Sequence, residues 1–285
     1  MAIYLKNKWL EEVWFGKLKE VIHKYSPDII WFDSWLDQIP EEYRQEFCAH
    51  YLNYADSIEK QVVIVRKQDD LPLDVSVDDL EKSRKNEIGK KVWMTDETIS
   101  KGSWCYTKGL EIKPARDVLH VLIDIVSKNG VLLLNISPKA DGTIPQNQRE
   151  VLLKIGDWLE KNGEAIYGTR PWYTYGEGPV KEPEGHFKNA KKFLEISYSE
   201  KDIRYTKKEN TLYAMLLGVP QPKSSVFMEA FQQDSLPNGF RIKNINLIGY
   251  SGSLDWELKQ KGLQVDIPAH FDAEMATVFR MKIRQ

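Results

Sequence analysis

The grammar of the chain changes once, near Trp172. Before that point, short apolar runs of strand length alternate with stretches in which apolar residues recur every three or four positions. After it, only short runs with every-other-residue alternation occur. The first pattern is that of strands and helices alternating around a parallel sheet, and the second that of an all-β sandwich. A chain of 285 residues has room for both. The expected fold is therefore α/β plus all-β, in two domains of residues 1–174 and 175–285, divided in the Gly- and Pro-rich stretch from Tyr175 to Glu184.

Trp9 to Tyr25 places Trp14, Phe15, Leu18, Val21 and Ile22 on one helix face, so the chain opens on a helix that needs a sheet beneath it. The stretch YSPDIIWFD at 25–33 turns at Ser26-Pro27, runs as a strand from Asp28 to Phe32 and ends on Asp33. A helix is expected from Glu41 to Ala55, then a strand buried on both faces from Gln61 to Val65. Residues 67–91 read as a long polar loop, a strand resumes at Val92 to Thr95, and Pro114 opens a helix to Lys128 that Asn129-Gly130 stops. Val131 to Ile136 is another strand, Gln148 to Lys161 a helix, and a fifth strand is expected near Ala165-Ile166-Tyr167. Sandwich strands are expected at 193–197, 202–206, 211–217, 245–249, 254–258, 263–267 and 276–282. A closed (β/α) barrel needs eight strands. The first part therefore reads as an incomplete barrel.

Lys plus Arg is 40 and Asp plus Glu is 42, a net charge of −2. Without a basic excess, neither a nucleic acid nor a membrane surface is expected as a partner. No run approaches the ~18 apolar residues of a membrane span. Met1 to Phe15 contains Lys6, Lys8, Glu11 and Glu12 and lacks the apolar core of a signal peptide, and the compartment stays open. Cys48 and Cys105 lack metal-site spacing and are too few for a disulfide framework, so both are expected as buried free thiols. Neither a metal nor a cofactor is expected. Nine Trp and 13 Tyr are many for this length, and sugar rings stack on aromatic faces, although most such residues are core.

The chemistry is expected to lie with carboxylates. An acid at the C-terminal end of a buried strand is where barrel enzymes keep catalytic groups, because the strand is rigid and its end opens on the active-site face. Asp33 holds such a position, although many strands end in Asp for turn reasons. The candidates for a second carboxylate are Glu81 in the long loop, and Asp96 or Glu97 beyond Thr95. Two carboxyls about 5 Å apart suit a retaining glycosidase, one as nucleophile and the other switching between acid and base. Most acidic loop residues, by contrast, are simply solvated.

Five blocks carry a resemblance: YSPDIIWFDSW at 25–35, VWMTDETISKGSWCY at 92–106, VSKNGVLLLNISPKADGTIP at 126–145, IGDWLEKNGEAIYGTRPW at 155–172, and DIRYT followed by LYAMLLGVP in the sandwich. In this order they make the chain similar to the C-terminal portion of the glycoside hydrolase family 29 α-L-fucosidases, over nearly its whole length. The resemblance implies a retaining hydrolase of α-L-fucosides and fucosylated glycans, with roughly strands 4 to 8 of the barrel followed by the C-terminal sandwich. It implies Asp33 as nucleophile and Glu81, about a dozen residues before Trp93, as acid/base, with Asp96 and Glu97 as fallback acids. Trp31, on the same strand face as Asp33, and Trp104 are implied to line the sugar site. Arg66 matches an arginine that contacts the sugar, and a cation there would keep Asp33 ionised. Met94 stands where many relatives have Glu, and Cys105 replaces a common Gly. Asn135 and Gly142 are read as structural.

The resemblance implies that the family's active-site histidines, a Glu/Trp pair and the first three barrel strands belong to an N-terminal half for which no counterpart is expected among these residues. His23, His50, His120, His186 and His270 match none of those histidines. An open half barrel exposes sheet edges and an apolar interior, so a homo-oligomer or a complementing N-terminal barrel half is the expected partner. The alternative function is a catalytically impaired fragment, or a remnant that binds carbohydrate or a partner.

Overall fold

The computed structural model of the chain describes residues 8–180, 196–237 and 239–284. Packing divides the chain into two units, Met1–Leu80 with Lys91–Met94, and Glu81–Lys90 with Thr95–Gln285.

In the first unit the opening helix starts as a wide turn, Trp9–Phe15, and continues as α1, Gly16–Tyr25. Ser26 stops it in the left-handed region at φ +44°, its N–H closing on the Ile22 carbonyl. Then follow β1 (Ile29–Trp31), α2 (Glu41–Ser57), β2 (Val63–Arg66), β3 (Val77–Asp79) and the start of β4 (Trp93–Thr98). The strands pair in parallel, Trp31 opposite Val65, Val65 opposite Val77, and Asp78 opposite Trp93. One face of this sheet is covered: Ile30 and Ile64 pack with Phe15, Ile22, Phe47 and Tyr51 of the helices. Each such buried side chain contributes about 1.5–3 kcal/mol. On the opposite face Ile29 and Val63 are 58% and 39% exposed at the starts of their strands, while Val65 on that face is buried, so the burial on both faces expected of Gln61 to Val65 holds at Ile64 and Val65 and not at Val63. β3 interrupts the segment expected to be loop, because Val75 and Val77 carry a short alternation hidden among acids.

In the second unit the remainder of β4 lies beside β5 (Gly130–Asn135), Ile99 N–H donating to the Asn135 carbonyl at 3.0 Å. Two helices follow prolines: α3 (Ala115–Ser127) opens after Pro114 as expected, and α4 (Gln146–Asn162) opens after Pro145, two residues ahead of its expected start. The β-rich part forms two antiparallel sheets. The larger has the order β10-β13-β8-β7-β6, from β6 (Arg170–Glu177), β7 (Ile203–Lys208), β8 (Thr211–Leu216), β10 (Arg241–Leu247) and β13 (Thr277–Arg284). The smaller is β11-β12-β9, from β9 (Ser225–Met228), β11 (Trp256–Lys259) and β12 (Gly262–Asp266). Their shared core is aromatic, with the Trp172 ring 5.3 Å from Tyr205 and 5.0 Å from Phe231 between centroids.

The outer face of the larger sheet is buried too. Leu119, Ile123 and Trp158 of α3 and α4 share a core with Tyr213, Met215 and Val278 of β8 and β13. A charged cluster joins the same elements: Asp124 of α3 is fully buried, with Lys128 Nζ at 2.8 Å, Arg204 Nε of β7 at 2.6 Å and Arg84 Nη1 at 3.9 Å. The division expected at residues 174 and 175 falls inside β6, and α3 and α4 before it pack as one unit with the sheets after it. The strand expected at Ala165–Tyr167 is instead a helical turn, Gly163–Ala165, closed by Ile166 N–H on the Gly163 carbonyl. Of the strand expected at 193–197, residues 193–195 lie outside the described residues and 196–197 are not strand, whereas β9 was not foreseen. Cys48 is a buried thiol as expected, but Cys105 is exposed, in a Ser- and Gly-rich turn rather than a core element.

Candidate active site

Side-chain alternation decides which groups share a face. Trp31, Val65 and Val77 are register partners, so their side chains project from one side of the sheet in the first unit. Two residues further along each chain segment, on that same side, come Asp33, Lys67 and Asp79. A carboxylate, an ammonium and a second carboxylate thus stand at or just beyond the C-terminal ends of three neighbouring strands. Lys67 Nζ lies 3.7 Å from Asp33 Oδ1 and 5.0 Å from the centre of the Trp31 ring. The Trp31 indole N–H donates to Asp79 Oδ2 at 2.7 Å. Asp79 and the Lys67 side chain are buried, whereas the Asp33 side chain is 73% exposed, with Oδ1 accepting the Ser34 N–H at 2.8 Å.

Arg66 does not supply the cation beside Asp33. Its guanidinium donates to the Leu71 carbonyl, lies 3.2 Å from Asp69 and 3.7 Å from Asp78, and borders a cavity of about 570 Å³ with Arg44 and Cys48 of α2. The reason is parity. Arg66 ends β2 and projects opposite to Val65, whereas Lys67, in the bend that follows, takes the place beside Asp33. The cation beside Asp33 is thus Lys67 and not the Arg66 expected there.

The other candidates lie in the second unit. Lys82 N–H donates to the Asp96 carbonyl at 2.9 Å, as Phe32 N–H does to Val65 beside the Trp31–Val65 pair. By that pattern Glu81 stands opposite Asp96 and the two carboxyl groups share a face. Asp96 is buried and Glu81 half-buried. Glu97 projects the other way. Its Oε1 sits 2.9 Å from Lys113 Nζ and accepts the Thr98 N–H at 2.8 Å. Lys113 is itself buried, and burial pulls its ammonium below the ordinary range against the attraction of Glu97. Glu97 is therefore committed to an internal ion pair. Trp104 is half-buried, its carbonyl held by Asn135 Nδ2 at 2.9 Å and Ser137 Oγ at 3.0 Å. Lys82 Nζ rests 4.2 Å from the centre of its ring, so one aromatic face already carries a cation.

Sequence reasoning missed Lys67 and Asp79. Lys67 was hidden by its neighbour Arg66, and Asp79 by the assignment of its whole segment to loop. Among the described residues no group of three or more His, Cys, Asp or Glu side chains is arranged to hold a metal ion, and no helix is long and apolar enough to cross a membrane.

The model of the α-L-fucosidase family matches residues 3–164, and that of the α-L-fucosidase C-terminal domain matches residues 197–284. The chain belongs to the α-L-fucosidase family. Among relatives, an α-L-fucosidase of Branchiostoma floridae is 25% identical over 98% of this chain and 61% of its own length. The human tissue α-L-fucosidase is 27% identical over 88% of this chain and 50% of its own. The chain thus spans about half the length of the relatives it matches. Among solved structures, the Thermotoga maritima α-fucosidase in complex with fucose superposes with a TM-score of 0.72 at 23% identity, covering 96% of this chain and 56% of that one. The α-L-fucosidase isoenzyme 1 of Paenibacillus thiaminolyticus gives 0.71 at 24%, over 98% and 63%. The fold is that of the family, an incomplete (β/α) barrel followed by a C-terminal sandwich.

Proposed function

We propose that the protein hydrolyses terminal α-L-fucosides of oligosaccharides or glycoconjugates by double displacement, with Asp33 as nucleophile. The observation that carries this reading is the exposed carboxylate of Asp33 following β1, with the buried Lys67 ammonium beside it and Trp31 on the same face. In the first step Asp33 attacks the anomeric carbon, the glycosidic bond breaks, and a second carboxyl group gives its proton to the departing oxygen. In the second, that carboxylate takes a proton from water, the water oxygen attacks the glycosyl-aspartate, and fucose leaves with Asp33 restored.

Glu81 is proposed as the acid/base, half-buried and side by side with Asp96. A second reading assigns that role to Asp79, favoured by its place on the face of Asp33 within one unit. Trp104 is proposed to line the sugar site. The partner that completes the site is a second copy of the chain or a barrel half bearing the first strands. The exposed Ile29 and Val63 of one strand face support such a cover. The deciding experiment is hydrolysis of an aryl α-L-fucoside by the purified chain, alone and mixed with a separately produced N-terminal barrel half of a relative. Turnover that disappears in Asp33→Ala supports the reading, and turnover untouched by that substitution overturns the nucleophile.

A further inference from the structure

The sandwich carries a cleft that plays no part in the proposed hydrolysis. It encloses about 640 Å³, within the range of small-ligand sites, and opens between β6 and β9. Both are edge strands, one of each sheet, so the opening lies where the two layers of the sandwich part. Ile203 and Val226, which also belong to the sandwich core, line its inner part.

The walls divide by chemistry. Phe227 alternates outward on β9 and is 43% exposed, its ring edge seated over Gly262, where an added Cβ would meet ring carbons at 2.9 and 3.0 Å. Pro179 and Pro220 are the other rigid apolar members of the lining. Hydrogen-bonding groups complete the cleft: Glu200, Lys201 and Gln221. Two further carboxylates line the wall, Glu229 and Glu177, and Glu177 is occupied by structure, with Oε1 accepting Tyr205 O–H at 2.8 Å and Oε2 the Ala230 N–H at 2.7 Å. Burial pushes its carboxyl up, against those two donors. The rim is therefore anchored before any ligand arrives.

An exposed aromatic ring, with prolines in the same lining, suits the C–H side of a pyranose ring, and the carboxylate, amide and ammonium groups of that lining suit hydroxyls. We propose that this cleft is a second carbohydrate-binding site, which holds a sugar unit of a glycan with Phe227 as platform and Glu200 and Gln221 as hydroxyl partners. A peptide strand added to the β9 edge is the competing occupant. The four residues of β9 offer it a short ladder, and the polar lining favours the sugar. The choice of a sugar rests on the glycan reading of the active site, while the cleft itself does not.

The test uses the full chain carrying Asp33→Ala, titrated calorimetrically with a fucosylated tetrasaccharide, with the same oligosaccharide lacking fucose, and with an unrelated extended peptide. Binding of either oligosaccharide that falls at least tenfold in Phe227→Ala or Gln221→Ala, with thermal unfolding unchanged, is the expected result. Hydrolysis of a soluble aryl fucoside by the Phe227→Ala chain should equal that of the parent. Binding insensitive to both substitutions, no binding of either oligosaccharide, or Phe227-dependent capture of the peptide alone overturns the proposal. Phe227-dependent sugar binding in a chain that hydrolyses no fucoside under any of the conditions above would leave the cleft standing and remove the catalytic reading.

Discussion

Trp31 and Asp79 are joined side chain to side chain, the indole N–H donating to the buried carboxylate at 2.7 Å between the first and third strands of the parallel sheet. The bond passes over the strand that carries Lys67, whose ammonium sits by the Trp31 ring and beside Asp33. The orientation of Trp31, the seat of the ammonium and the surroundings of the proposed nucleophile are thus set by one connected group. Trp31→Phe keeps the ring and deletes the N–H. Removing one partner of a buried hydrogen bond costs about 1–3 kcal/mol, so the midpoint of urea unfolding should fall accordingly. Because the bond reaches Asp33 through the ring and Lys67, kcat should fall more than KM rises.

Asp33→Ala should reduce aryl fucoside hydrolysis by roughly 10³-fold or more, the scale on which loss of a covalent nucleophile is felt. Azide, small enough to occupy the vacated space, should restore part of the turnover and give a fucosyl azide detectable by mass spectrometry. Full activity in the variant would remove Asp33 from the mechanism.

Glu81 and Asp79 are separated by the leaving group. A general acid contributes about 10²–10⁴-fold, and most for poor leaving groups that need a proton. Replacing the acid by Ala should spare an aryl fucoside with an acidic phenol and depress alkyl fucosides. If Glu81→Ala shows that gradient, the loop carboxylate is the acid; if Asp79→Asn shows it instead, the buried one is. Glu97→Gln should show neither. It strands the buried Lys113 ammonium, so the expected readout is a lower unfolding midpoint with the leaving-group series unchanged.

Asp33 was legible because its strand announces itself: Ser26-Pro27 sets the turn, Ile29 to Phe32 is apolar, and the acid follows at once. α3 was legible for a similar reason: of the face its spacing defines, Val118, Leu119 and Ile125 are buried and Leu122 and Val126 partly so, while Ile123, outside that face, is buried as well. What the sequence withholds is the phase between strands. Alternation shows that Arg66 and Lys67 point opposite ways, but only the register of Trp31 with Val65 says which of them meets Asp33. β3 was hidden because Asp74, Asp78 and Asp79 outweigh Val75 and Val77 in any local reading, and the pairing with β2 and β4 overrides that composition. Ala165 to Tyr167 misled in the opposite sense, three apolar or aromatic residues drawn into a turn by the bond from Ile166 to Gly163.

Asp124 should govern the acid stability of the second unit. Burial alone would raise its carboxyl, but Lys128, Arg204 and Arg84 outweigh that and hold it well below the ordinary carboxylate range. A carboxylate depressed in the folded state contributes stability that is fully present above the unfolded value of about 3.9 and is lost as pH falls from there through the folded one. Unfolding free energy, followed by urea titration at successive pH values, should therefore decline below about pH 4, with a slope attributable to Asp124. Asp124→Asn leaves Lys128 and Arg204 buried without their shared counter-charge, which should cost about 3–5 kcal/mol at neutral pH. Replacing Asp124, Lys128 and Arg204 together by apolar residues of similar volume should recover much of that loss, because the price of burying ions disappears with the ions. If the triple variant is no more stable than Asp124→Asn, the cluster is not electrostatic in origin, and the packing of α3 against β7 would have to be what Asp124 supports.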